Sequence, residues 1–152
     1  MVLGMAAGQR IHEVATDSTK GSFGNRAECA GAQIKNDATS YLKAAGVLGT
    51  MGGVGYLQAK KAPFFTKVAN NFAKYTGKAL KAISQKISNP ILRESFAKVA
   101  SKVGKNPRAA LVGTLATIGL ASLAKIAQDH AYKSGQIDQK YTDKAAVQKQ
   151  IV

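Results

Sequence analysis

Acidic residues are scarce: eight Asp and Glu stand against 22 Lys and Arg over 152 residues, a formal charge of +14. That balance favours polyanionic partners, namely anionic lipid headgroups, nucleic acid or an acidic protein surface, and says nothing about the fold. Tryptophan is absent, and Phe and Tyr number five each. With Ala, Gly and Lys abundant, that mixture suits helices with small-residue contacts better than a sheet core rich in aromatic and β-branched residues. One cysteine, Cys29, excludes an internal disulfide framework. His12 and His130 lie far apart and offer no metal-ligand spacing, so neither metal nor cofactor is expected.

Catalytic patterns are missing too. The chain holds no phosphate-cradling Gly-x-x-x-x-Gly-Lys-Ser/Thr, no His-Glu-x-x-His and no nucleophile elbow, so neither an enzyme nor a small-molecule substrate is expected. The opening residues lack a basic n-region and a long apolar stretch, and position 2 is not glycine. Neither a secretory signal nor myristoylation is expected from them.

What is present is organised around Lys60 to Arg108. This stretch carries 12 of the 22 basic residues and a single acid, Glu94. An uncharged run of 16 residues flanks it on each side, residues 44–59 and 109–124. Within it Phe65, Val68, Phe72, Tyr75, Ala79, Ile83 and Ile87 recur every three or four positions, with Leu80 as one extra neighbour. Lys60, Lys67, Lys74, Lys78 and Lys81 fall on the opposite side of a helical wheel. A second stripe, Ile91, Leu92, Phe96, Val99, Ala100 and Val103, predicts a further amphipathic helix with Arg93, Lys98, Lys102 and Lys105 mostly outside it. Pro63, Pro90 and Pro107 read as first helical residues, and Gly104 as a helix terminator.

The uncharged runs have their own pattern. Ala45, Gly49 and Gly53 form a small-residue ladder in the first; Gly113, Thr117 and Ala121 form one in the second. Such ladders let membrane helices pack closely. Asn36 and Asp37 are expected to cap the first long helix, and Gly135 to follow the end of the last. Residues 1–35 show no persistent period and are expected to be a flexible segment.

The expected fold is all-α: a helical hairpin of two short apolar helices connected by two basic amphipathic helices. Residues 36–135 would form the helical domain and 136–152 a polar C-terminal tail. Sixteen residues span about 24 Å as a helix, against a hydrocarbon core of roughly 30 Å. Lys43, Lys60, Arg108 and Lys125 bracket the runs, and their stems can snorkel outward to make up the difference.

The function expected is that of a small cationic membrane-associated protein that inserts the hairpin and binds anionic lipid. It would be pore-forming, membrane-remodelling or assembly-anchoring, with contact between copies. Lys60, Lys61, Lys67, Lys74, Lys78, Lys81, Lys98, Lys102 and Lys105 would meet the polyanion. Phe65, Val68, Phe72, Tyr75, Ile83 and Phe96 would face lipid. If the hairpin spans, the connector lies on the cytoplasmic side. The alternative is a soluble, cytoplasmic basic bundle that binds nucleic acid or an acidic protein, or builds a larger particle.

Overall fold

A computed structural model describes residues 2–150, and side chains from Gln9 to Gln150. The fold is all-α, with no strand among the described residues. Five α-helices follow in order: α1 (Val2–Thr16), α2 (Phe23–Ala59), α3 (Pro63–Lys86), α4 (Pro90–Lys105) and α5 (Pro107–Gln150). A short 3-10 turn, Ser18–Lys20, separates α1 from α2. The chain divides into two compact units, one of residues 2–47 with 122–150, the other of residues 48–121.

The three prolines start helices as expected. Each fixes φ near the helical value where the missing N–H has no intrahelical partner to lose. Asn89 caps α4, its Oδ1 accepting from the N–H groups of Ile91 and Leu92. The end of α2 is a reversal with a lysine where glycine is usual. Lys61 adopts φ 51, and the Lys61 and Ala62 N–H groups turn back onto the carbonyls of Gln58 and Leu57.

Several expected boundaries are absent. Asn36 and Asp37 lie inside α2, Gly104 inside α4 and Gly135 inside α5. Residues 2–16 and 23–35, expected to be flexible, are helical, and neither 35/36 nor 135/136 is the edge of an element. Met1, Ile151 and Val152, at the ends of the expected terminal segments, lie outside the described residues. The physical reason is that the first unit is held by polar groups, which carry no hydropathy signal.

Its apolar core is small: Val14, Cys29, Ala30 and Tyr141, with Ala32 and Ile137 packed beside them. Around this runs a polar seam between α2 and the antiparallel α5. Gln33, fully buried, donates from Nε2 to the Ser134 carbonyl and to Asp138 Oδ1, both at 3.0 Å, while its Oε1 accepts from Ser134 Oγ at 2.9 Å. Asn25 Nδ2 donates to the carbonyls of Lys20 and Tyr141. Asn36 Nδ2 donates to the His130 carbonyl. Lys20 is buried, its ammonium donating to the Asp138 carbonyl and Thr142 Oγ1 with the Asp17 and Asp138 carboxylates within 4 Å. Buried polar groups satisfied in this way specify a register, because a slip leaves them unpaired.

The second unit is built differently. Phe65, Ala69 and Leu111 form its core, with Val54, Ala62, Phe72, Val112 and Leu115 packed against them. α3 and α4 pack on each other through small residues: Ala73, Ser84 and Ala100 are buried, and a Cβ on Gly77 would lie 3.9 Å from the Ala100 carbonyl. Arg108 joins α5 to the end of α2, donating to the Gln58 side chain at 3.0 Å and to the Gln58 carbonyl at 2.8 Å. A cation on the last carbonyls of a helix opposes their partial negative charge.

Between α2 and α5 in this unit, buried Gly119 receives the Met51 side chain, and a Cβ there would overlap the Met51 thioether. Gly119→Val is expected to destabilise the chain by about 1–3 kcal/mol through overpacking. Shortening the partner in Gly119→Val/Met51→Ala should recover most of that loss in chemical denaturation. Equal loss in the single and double variants would show that Met51 does not set the spacing.

Candidate functional site

Charge is divided between the units. Residues 48–121 hold twelve Lys and Arg and one acid, a balance of +11; the remainder hold ten basic residues and seven acids, a balance of +3. Five of the seven acids of the first unit, Glu13, Asp17, Glu28, Asp37 and Asp138, stand in ion pairs. Glu28 pairs with Lys144 at 2.8 Å, and Asp37 accepts His130 Nε2 at 2.6 Å with Arg10 Nε at 4.0 Å. The hydrogen bond from Lys144 holds the Glu28 carboxyl below its ordinary range, and the same bond raises Lys144. Burial, reinforced by Asp138, pushes the Cys29 thiol up, so this cysteine is not a poised nucleophile.

Asp17 is also held below its ordinary range, first by the Thr19 hydroxyl and then by the Thr19 N–H. A depressed carboxyl stabilises the fold above its unfolded pKa, and the contribution is lost as pH falls through the folded value. Acid titration of thermal stability between about pH 4 and pH 2 should therefore show a decline that Asp17→Ala reduces. An unchanged profile in that variant would show that the Thr19 bonds carry no linkage.

The basic surface belongs to the second unit. Lys60, Lys61, Lys67, Lys74, Lys78, Lys81, Lys98, Lys102 and Lys105 are all exposed. Among the described residues Lys98 alone of these nine pairs with an acid, Glu94 at 2.7 Å, which lowers the Glu94 carboxyl. Lys60 also lies 5.9 Å from the Tyr56 ring centre.

The apolar residues expected to face lipid separate into two sets. Phe65 is buried, beneath the Arg108 guanidinium at 5.7 Å, and Phe72 and Phe96 are half-buried, so these face inward. Val68, Tyr75 and Ile83 are exposed. The inner face of α3 uses Ala69, Ala73, Gly77 and Ser84 instead, small residues that permit close approach to α4 but that a search for large apolar residues passes over. Phe64, three-quarters exposed, joins the outer stripe, as do Ile91, Leu92 and Val99 on α4. Phe64, Val68 and Tyr75 fall within about 40° of one another at 100° per residue, beside the lysine face. An exposed apolar stripe flanked by lysines is the arrangement of a helix lying in a headgroup layer.

The small-residue ladders are not where α2 meets α5. Ala45, Gly49, Gly53, Gly113, Thr117 and Ala121 are exposed, and a Cβ on Gly49, Gly53 or Gly113 would meet nothing within 4 Å. The contact runs through Met51, Val54 and Gln58 on α2 and Arg108, Leu111, Leu115 and Gly119 on α5.

α5 is the one helix, among the described residues, long and apolar enough to cross a membrane, and only 11% of its apolar window is buried. The first run, with five glycines, does not reach that apolarity. No family model matches the chain, and no curated protein or solved structure shows significant similarity to it.

Proposed function

We propose that the protein is a cationic membrane protein whose second unit enters the bilayer through the uncharged parts of α2 and α5. There it binds anionic lipid with α3 and α4. The uncovered apolar window of α5 carries this reading. In a water-soluble bundle those residues would form the core, whereas here Ile118 and Leu120 stand 57% and 63% exposed. Leu48 and Tyr56 on α2 are exposed as well. Leaving such a surface in water costs about 25 cal/mol per Å2, which lipid removes.

The charge division fits the same reading. The +11 of the second unit lies beside its apolar stripe, while the first unit has mostly paired acids and a polar seam suited to water. With a positive connector, the cytoplasmic side is the place for α3 and α4. The exposed ladders then serve contact between copies, whether the outcome is a pore, a remodelled bilayer or an anchored assembly.

Fractionation tests the proposal. Membranes from expressing cells are washed with high salt, then carbonate, then detergent. Retention until detergent is the expected result. A soluble chain whose nucleic-acid binding weakens steeply with salt would sink the proposal and favour a basic nucleic-acid-binding bundle.

A further inference from the structure

At the elbow where α4 ends and α5 begins, the second unit has a niche of about 290 Å3. Its polar lining is Gln58, Thr66, Asn70, Lys105, Asn106 and Arg108, and no acid is among the lining residues. A concavity of about 240 Å3 adjoins it, sharing Asn70 and Pro107 and adding Lys74. We propose that this elbow is a binding site for a phosphate group.

The argument is a surplus of donors. Lys74, Lys105 and Asn70 have no side-chain partner among the described residues. Arg108 commits Nε and Nη2 to Gln58 and Leu57, which holds its guanidinium at the niche, and Nη1 has no hydrogen bond among the described residues. Asn70 of α3, Lys105 of α4 and Arg108 of α5 line one space, so an amide, an ammonium and a guanidinium are carried to its walls by three helices. The acid of this unit, Glu94, is already bound to Lys98. The first turn of α5 carries no acid either, so no carboxylate within that turn offsets its partial positive charge. Donors arriving from several directions suit a tetrahedral oxyanion better than a planar carboxylate.

The site takes a phosphomonoester or phosphodiester, either free or as a lipid headgroup. It deepens the lipid reading above and rests on it only where the phosphate belongs to a lipid. The lysines of the open α3 face, such as Lys78 and Lys81, supply diffuse attraction; the elbow supplies geometry.

The test uses the full chain, in buffer or in neutral detergent micelles, followed by amide NMR during titration with inorganic phosphate. Saturable shifts at the Arg108 and Ala109 amides are expected. Lys74→Ala/Lys105→Ala should weaken phosphate binding at least about tenfold, the loss of one or two charge-assisted bonds. Lys86→Ala/Arg93→Ala removes the same charge from exposed positions that line neither concavity and should stay within about twofold of the parent. Equal weakening in the two pairs, or no saturation at those amides, overturns the proposal, since binding would then follow net charge alone.

Vesicles identify the source. Displacement of inorganic phosphate by phosphatidylglycerol vesicles, but not by phosphatidylcholine vesicles, supports a lipid phosphate in the site. Retention of inorganic phosphate against both supports a soluble one. A saturable site in a chain that carbonate releases from membranes keeps the elbow and removes the bilayer reading. A carbonate-resistant chain without saturation does the reverse.

Discussion

Gln33→Leu is expected to lower the stability of the chain by about 3 kcal/mol, a fall of roughly 6–12 °C in melting temperature for a protein of this length. Gln33 is fully buried and uses both ends of its amide. Leucine fills a similar volume but supplies neither donor nor acceptor. The Ser134 hydroxyl then has no acceptor in Gln33, and Asp138 Oδ1 loses a 3.0 Å donor, keeping the Lys20 ammonium at 3.8 Å. Leaving such groups unpaired costs about 1–3 kcal/mol each, whereas removing both partners together costs far less. Gln33→Leu/Ser134→Ala should therefore melt above Gln33→Leu alone, even though it carries one more substitution. Simple addition of the two single effects would show that the seam is not coupled and that Gln33 acts by volume only. Circular dichroism of the chain in neutral micelles reads both results.

The same seam explains which parts of the fold were legible in the sequence. Helix starts at Pro63, Pro90 and Pro107 were legible because proline acts locally, through its own φ and missing N–H. The helix over residues 23–35 was not. Of its inward positions, Asn25, Cys29, Gln33 and Asn36, three are polar, and a hydropathy period cannot register them. Gly104 and Gly135 misled for a related reason: glycine permits a helix to end but does not oblige it to, and tertiary contacts decide. The amphipathic character of α3 was legible, but its orientation was only partly so. Large residues suggested Phe65, Val68, Phe72 and Tyr75 as one stripe, whereas close packing on α4 selects Ala69, Ala73 and Gly77 and rotates Val68 and Tyr75 outward. The exposed lysines of the candidate surface were fully legible, since a charge rarely enters a core unpaired. The elbow niche was not, because Asn70, Lys105 and Arg108 lie on three helices and meet only in the fold.

Ile118→Asp separates water from hydrocarbon on α5. Ile118 is 57% exposed, near the centre of the uncharged run 109–124. If that face meets water, an aspartate there changes stability by no more than about 0.5 kcal/mol. If it meets lipid, a carboxylate near mid-bilayer costs about 3 kcal/mol, a roughly hundredfold loss in partition toward the inserted state. Aspartate is preferred to lysine as the probe because its short stem cannot snorkel to the headgroups. The expected outcome is a carbonate-resistant fraction that collapses in Ile118→Asp and is unchanged in Ile118→Leu. Ile91→Asp provides the contrast. Ile91 is 74% exposed on α4, where the proposed environment is the headgroup layer, and depth lowers the cost of a charge toward zero there. A chain that keeps Ile118→Asp in the membrane as firmly as the parent does not bury this face of α5 in lipid. The apolar surface would then belong to a protein contact instead. Collapse in Ile118→Asp but not Ile91→Asp assigns the bilayer core to α5 and leaves α4 outside it.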